Sequence, residues 1–186
     1  MKIMSGLKSA FVNSALHIVF YHPQRERERE EILIFAVDCN WNKHRIIRWP
    51  GEHKSSVASF VGYSRGRLHC ISGHLQQEGQ GRNCYITELS IWVLEDYDKE
   101  DWIVKHTVSC MQLFGKVSCQ QEEFDVVTIH PDCNLVFFVQ DWDQKLISYD
   151  IDSNQVRTLH TLVPKYGSVT PYSPYFAELL TLTKKP

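Results

Sequence analysis

One serine in the sequence has the surroundings of a catalytic nucleophile. Gly62-Tyr63-Ser64-Arg65-Gly66 matches the G-x-S-x-G pattern of α/β-hydrolases, in which the serine lies on a sharp turn between a strand and a helix. Here the next segment, Arg67 to Ser72, has the composition of a strand. Because two glycines around a short turn also suit a β-hairpin, we interpret the motif as a hairpin turn and expect no catalytic residue. An esterase-like enzyme that uses Ser64 stays as an alternative.

A short cluster of potential zinc ligands, His69, Cys70 and His74, follows this motif. Neighbouring residues of a strand point to opposite faces, so His69 and Cys70 cannot easily share an ion. A zinc site also needs further ligands at compatible spacing, and the six cysteines include no C-x-x-C pair. We therefore expect these side chains to be structural, and we expect neither a metal nor a cofactor.

A second metal-like pattern, Asp96 to Glu100, begins like a calcium-binding loop. An EF-hand loop needs Gly at its sixth position and a bidentate Glu at its twelfth. This chain has Asp101 and Thr107 at those two positions. The pattern is therefore typical of the solvated end of a hairpin.

The overall charge disfavours a nucleic-acid partner. The 186 residues include 20 Lys+Arg against 22 Asp+Glu, for a formal charge of −2, whereas nucleic-acid-binding domains carry a basic footprint. The densest run of charge, Arg25 to Glu31, alternates Arg and Glu, which is typical of a solvated loop, with a partner-docking lip as the alternative. No apolar run approaches the ~18–20 residues of a membrane span. We expect no nucleic-acid partner and no membrane partner.

The cysteine content favours a reducing compartment. Six cysteines in 186 residues are far fewer than a disulfide-stapled secreted scaffold of this size would carry. Free thiols in the cytoplasm or nucleus are the prediction.

Short apolar or alternating runs separated by turn residues dominate the chain, which indicates an all-β fold. Twelve strands are predicted, at 9–13, 16–21, 32–38, 44–49, 57–61, 67–72, 88–95, 101–109, 124–130, 134–139, 145–150 and 155–162. Leu16, Leu68 and Leu135 begin one recurring strand, and Asp38, Asp96 and Asp150 mark the end of another. The segment from Gly73 to Thr87 is interpreted as an insertion into this repeat.

Several predicted strands are apolar on both faces, as strands of a sheet between two other sheets would be. Four strands to each repeat are typical of propeller blades, so the prediction is a partial β-propeller-like array of about three four-stranded antiparallel blades. A β-sandwich is the alternative. Since closed propellers have about 4–8 blades, the array is expected to be open, or capped by the C-terminal tail.

The expected domain organisation has three parts. Residues 1–8 form an N-terminal segment that is expected to be disordered, residues 9–170 form the blades, and residues 171–186 form a tail that packs on them and then frays. Trp92 and Trp102 belong to strands and are expected to pack between blades. Trp41 and Trp142 lie in polar turns, where an aromatic ring either folds back on a blade or faces a partner. They are the candidate partner-binding residues.

The order of several motifs resembles the plant F-box-associated domain, in the style of cereal F-box-like proteins. The chain carries Leu-Ser-Ile-Trp-Val-Leu-Glu-Asp-Tyr at 89–97, followed by Trp102 and by Lys-His-Thr-Val-Ser at 105–109. The resemblance continues at 60–69, 113–115, 129–138, 146–150 and 171–180. It covers nearly the whole chain, from about Phe11 to Leu180.

This resemblance implies a non-catalytic protein-interaction module, the substrate-recruiting part of a Skp–cullin–F-box ubiquitin ligase. The partner would be a protein target of unknown identity. No leucine-rich F-box-like segment precedes Ser9, so a Skp-type adaptor is expected to bind only if an F-box is present upstream. A truncated family member with no independent function is a further alternative.

Overall fold

The computed structural model describes residues 2–3, 9–23, 30–38, 44–51, 55–77, 84–163 and 169–171. These residues form three antiparallel sheets, each made of strands that follow one another along the chain. The first sheet contains β1 (Lys2–Ile3), β2 (Ala10–Val12), β3 (Ala15–Pro23), β4 (Glu30–Asp38) and β5 (His44–Arg48). The second contains β6 (Ser56–Ser64), β7 (Arg67–Gln77), β8 (Cys84–Asp96) and β9 (Asp101–Ser109). The third contains β10 (Phe124–Ile129), β11 (Leu135–Gln140), β12 (Lys145–Asp150) and β13 (Gln155–Thr161).

The prediction of an all-β chain with about three four-stranded blades is confirmed. Each of the twelve predicted strands occurs, and β1 and β2 share one edge of β3, so the first sheet is also four strands wide. The three sheets stay separate and are not closed into a ring. Within the described part of the chain, no helix is long and apolar enough to cross a bilayer.

Local turn chemistry explains where the strands reverse. Asn13-Ser14 and Arg65-Gly66 are two-residue turns with positive φ at both positions, the geometry that suits the twist of a hairpin. After the third strand of the second sheet, the Asp96 carboxylate accepts hydrogen bonds from the next two turn amides, and Asp150 does the same in the third sheet. Two of the aspartates that mark the repeat are therefore turn caps.

Side chains pack between the sheets in two clusters, and the second sheet contributes to both. Val61, Cys70 and Leu94 of the second sheet pack toward the first sheet. Phe60 and Ile71, which alternate with them along the strands, pack toward the third sheet. The second sheet is therefore buried on both faces, which explains its nearly continuous apolar runs.

The structure adds one detail to the predicted repeat and corrects another. The predicted insertion from Gly73 to Thr87 lies largely in a lengthened hairpin, because β7 continues to Gln77 and β8 begins at Cys84. In the repeat, the equivalent of Leu68 is Val136 rather than Leu135, since Val136 faces the second sheet as Leu68 faces the first. A bulge or a longer turn shifts such an alignment by one residue without changing the composition.

The connection between the second and third sheets contains helical structure that was not predicted. Helix α1 (Cys110–Phe114) follows β9 directly, and a 3₁₀ turn (Gln121–Glu123) precedes β10. Ser109 caps α1 at its start, and Gly115 ends it in the left-handed conformation. Because both elements are shorter than two helical turns, they give almost no hydrophobic period to detect.

Candidate interaction surface

The innermost strands of the three sheets line an open groove of about 530 Å³. Strand β6 of the second sheet lies between β2 of the first sheet and β10 of the third, and it contacts both. Phe11 and Tyr63 of the groove are 58% and 42% exposed. The apolar wall of the groove also includes Pro131, Phe137 and Pro171.

The groove can accept an extended apolar segment of another molecule. None of the described residues that line it is an Asp, Glu, Lys or Arg, and its accessible wall is mostly apolar. Large exposed aromatic side chains in a concave surface are characteristic of protein-binding sites. Sequence reasoning did not find this site, because its residues are far apart along the chain and each looks like an ordinary strand residue.

Ser64 lies at the edge of this region, at the end of β6, and the hairpin turn predicted for its motif is present. The next element is strand β7 and not a helix. The Ser64 hydroxyl is 1% exposed and donates a hydrogen bond to the His130 carbonyl oxygen at 2.7 Å. This bond and the neighbouring bond from Arg65 N to Pro131 O, at 2.7 Å, join the second sheet to the third.

The local structure explains why both positions of the G-x-S-x-G motif are glycine. A Cβ on Gly62 would lie 2.3 Å from the Phe60 ring, so a larger residue would collide with the core. Gly66 has φ +77° in the turn, a conformation that glycine adopts without strain. The hairpin therefore accounts for the motif without a catalytic role for Ser64.

His69, Cys70 and His74 do not come together at one site in the structure. His69 faces the third sheet, whereas Cys70 packs toward the first, and the His74 Nε2 atom lies 2.9 Å from the Ser90 hydroxyl. Burial lowers the pKa of His69 to about 4, and the positive charges of Lys105, Arg67 and Arg65 add to this. Among the residues that the structure describes, no three His, Cys, Asp or Glu side chains are grouped as metal ligands would be.

The segment from Asp96 to Glu100, whose sequence begins like a calcium-binding loop, contacts the first sheet. Arg45 of β5 donates to the Asp98 carbonyl oxygen at 2.8 Å and to the Glu100 carboxylate at 3.3 Å. The Arg45 guanidinium also lies 5.2 Å from the centre of the Tyr97 ring. The acidic turn therefore holds an arginine of the neighbouring sheet.

Each pair of adjacent sheets is also joined by a histidine–tyrosine hydrogen bond. His17 of the first sheet contacts the Tyr97 hydroxyl at 2.9 Å, and His106 of the second contacts the Tyr149 hydroxyl at 2.7 Å. Burial lowers the pKa of both histidines. Because the charged imidazolium is disfavoured there, both rings are neutral near pH 7.

The tryptophans have different environments. Trp92 and Trp102 pack against the cluster between the first and second sheets, as predicted. Trp142 is 37% exposed, and its ring lies 3.7 Å from Lys116 Nζ and 5.8 Å from the Phe114 ring. Trp142 thus covers the connection between the second and third sheets. Trp41 lies outside the described residues, as do most of the 1–8 segment and of the 171–186 tail.

Comparison with known proteins agrees with this architecture. The comparison with curated proteins gives no match. The family model described as the F-box associated beta propeller domain matches residues 10–168, which include all three sheets apart from β1. The chain therefore belongs to the F-box associated beta propeller domain family.

Proposed function

We propose that this chain recruits a protein target to a ubiquitin ligase of the Skp–cullin–F-box type and that it takes no part in bond making itself. Membership of the F-box associated family supports a role beside an F-box. In this arrangement an F-box would bind the Skp-type adaptor, and the blades would bind the target. The compartment would be the cytoplasm or the nucleus.

The groove between the inner strands is the observation that carries this proposal. It combines exposed Phe11 and Tyr63 with a wall made of three packed sheets. Because the backbone of this wall belongs to hydrogen-bonded strands, less ordering is needed on binding, which lowers the entropy cost. We propose that an uncharged, extended segment of the target lies in this groove.

A fusion experiment tests the proposal. The chain is joined to the F-box of a known ligase, expressed in cells, and the ubiquitinated proteins are compared with those from the unfused chain. We expect at least one protein whose ubiquitination requires both the F-box and the groove. The groove is altered by Phe11→Asp and Tyr63→Asp, and the matched control is Val117→Asp, at a site that is 74% exposed outside the groove.

Two results would contradict the proposal. If no protein is ubiquitinated in an F-box-dependent manner, the role in target recruitment is wrong. If such proteins appear and the Phe11→Asp and Tyr63→Asp variants retain them all, target recruitment stands and the groove is the wrong surface.

A further inference from the structure

The connection between the second and third sheets contains two buried cysteines that meet at one backbone carbonyl group. Cys110 is the first residue of α1, and Cys119 lies just before the 3₁₀ turn; both side chains are fully buried. The Cys110 Sγ atom donates to the Ile86 carbonyl oxygen at 3.2 Å. The same oxygen accepts a hydrogen bond from Cys119 N at 2.9 Å. The two residues are therefore held together by their contacts with β8.

We propose that Cys110 and Cys119 are a disulfide-forming thiol pair that fastens α1 across the junction between the second and third sheets. Cys119 forms an antiparallel bridge with Ile86 through two backbone hydrogen bonds. This bridge fixes the Cys119 backbone beside the strand that the Cys110 thiol touches. The rest of α1 and a short loop separate the two residues, so the bond would close within this connection.

The two sulfur atoms differ in their electrostatic surroundings. The interaction between the two thiols lowers the pKa of Cys119 and raises that of Cys110, and burial raises the pKa of Cys110 further. Burial and the Glu123 carboxylate oppose the Cys119 thiolate, whereas the Lys116 ammonium favours it. Since the thiolate is the form that attacks a disulfide, either cysteine can begin the exchange once it is deprotonated, and the lowered pKa favours Cys119.

The chemistry balances with glutathione disulfide as the oxidant. The Cys119 thiolate attacks one sulfur of glutathione disulfide, forms a mixed disulfide and releases one glutathione thiolate. The Cys110 sulfur then attacks Cys119 Sγ, closes the protein disulfide and releases the second glutathione. The protein loses two protons and two electrons, and one glutathione disulfide becomes two glutathione molecules.

A cleft of about 410 Å³ lies close to Cys119. It is lined by Ile86, Gln120 and Gln121, which contact or adjoin Cys119, and by the exposed Cys84. Transient opening of the short α1 segment would uncover the thiols. Short helices with few turns open more readily than the central strands of a sheet.

Peptide mapping tests the proposal directly, because trypsin cleaves after Lys116, between the two cysteines. The Cys133→Ser variant is equilibrated in glutathione buffers of increasing oxidised fraction, alkylated and digested without reductant. We expect peptides 106–116 and 117–145 to be recovered as one linked species, two hydrogens lighter than their sum, and to separate after dithiothreitol. Cys84 is the internal control, since its exposed thiol should form a glutathione adduct in the same sample.

A stability measurement provides an independent readout. Oxidation should raise Tm by about 5–10 °C, the effect of a short disulfide loop in a chain of this size, and Cys110→Ser should abolish this increase. The proposal is overturned if Cys84 is modified while Cys110 and Cys119 are recovered as free thiols or as separate glutathione adducts. The peptide result is decisive even if Cys110→Ser fails to fold.

Discussion

At the scale of single residues, several polar side chains that resemble catalytic or metal-binding groups form hydrogen bonds between sheets. Ser64 bonds the His130 carbonyl group, and Tyr97 and Tyr149 bond histidines of neighbouring sheets. These groups are partly or fully buried, where a polar atom without a partner is costly. Their chemistry is therefore explained by the need to satisfy hydrogen bonds at the junctions.

Ser64→Ala should lower the free energy of unfolding by about 1–2 kcal/mol, because the His130 carbonyl group loses a buried donor. Chemical denaturation measures this change, and Thr158→Ala on the exposed strand β13 should have almost no effect. A fluorophosphonate probe should leave Ser64 unlabelled. Labelling at Ser64 would favour the esterase alternative over the hairpin interpretation.

His69 should make the protein less stable in mild acid. The folded state holds the His69 pKa at about 4 instead of its usual 6.5, so the unfolded chain binds more protons between these values. The free energy of unfolding therefore falls as the pH drops from 6.5 toward 4, by at most about 3 kcal/mol from this group.

Chemical denaturation at a series of pH values checks this expectation. His69→Gln should reduce the slope between about pH 6.5 and 5, a window above the titration of the carboxylates. The slope that remains should come from His17 and His106, whose pKa values are also lowered. An unchanged slope in the variant would show that His69 does not contribute.

At the scale of elements, aspartate-capped turns fix where the third strand of a sheet gives way to the fourth. Asp150 accepts from Asp152 N at 2.9 Å and from Ser153 N at 3.3 Å, and Asn154 then adopts φ 58°. Asp96 makes the same contacts in the second sheet. The recurrence of Asp96 and Asp150 in sequence thus reflects a turn that the second and third sheets share, since aspartate and asparagine side chains can bond their own backbone two residues on.

Asp150→Ala should lower the stability of the protein, because two turn amides lose their acceptor. Asp150→Asn is the matched control, since the asparagine Oδ1 atom can accept the same bonds, and it should keep most of the stability. Thermal and denaturant unfolding measure both. Equal losses of stability in the two variants would mean that the carboxylate charge, rather than the hydrogen bonds of the turn, stabilises the protein.

At the scale of the whole molecule, the second sheet couples the other two. Its opposite faces supply residues to both core clusters, so neither the first nor the third sheet can separate without exposing apolar surface. We therefore expect the three sheets to unfold in one cooperative transition.

One substitution in each sheet tests this coupling. Ile34→Val, Ile71→Val and Ile147→Val remove one buried methylene from the first, second and third sheets, at side chains that are at most 2% exposed. Each should cost about 0.5–1.5 kcal/mol and shift one shared transition. Ile46→Val, at a site that is 53% exposed, is the control.

Circular dichroism and tryptophan fluorescence should give the same midpoint in all four variants. Trp92 and Trp102 report on the junction of the first two sheets, and Trp142 reports on the third sheet and its connection. Two separated midpoints, with Ile34→Val moving only one of them, would show that the sheets unfold independently.

The sequence by itself determined the strands, most of their turns and the number of sheets. These features depend on neighbours within a few residues: apolar runs in the strands, Arg65-Gly66 in a hairpin and Asp150 in a turn. The sequence did not determine the register of the repeat. Leu135 was aligned one position away from its structural equivalent Val136, because bulges leave little trace in composition.

Only the tertiary structure decided which surfaces meet. Phe11, Tyr63 and Phe137 lie on three different sheets and form one groove only after the sheets pack, and Cys110 meets Cys119 only because both contact Ile86. Such contacts depend on the packing angle between sheets and on the path of the connections. Neither is encoded in the local periodicity that predicts a strand.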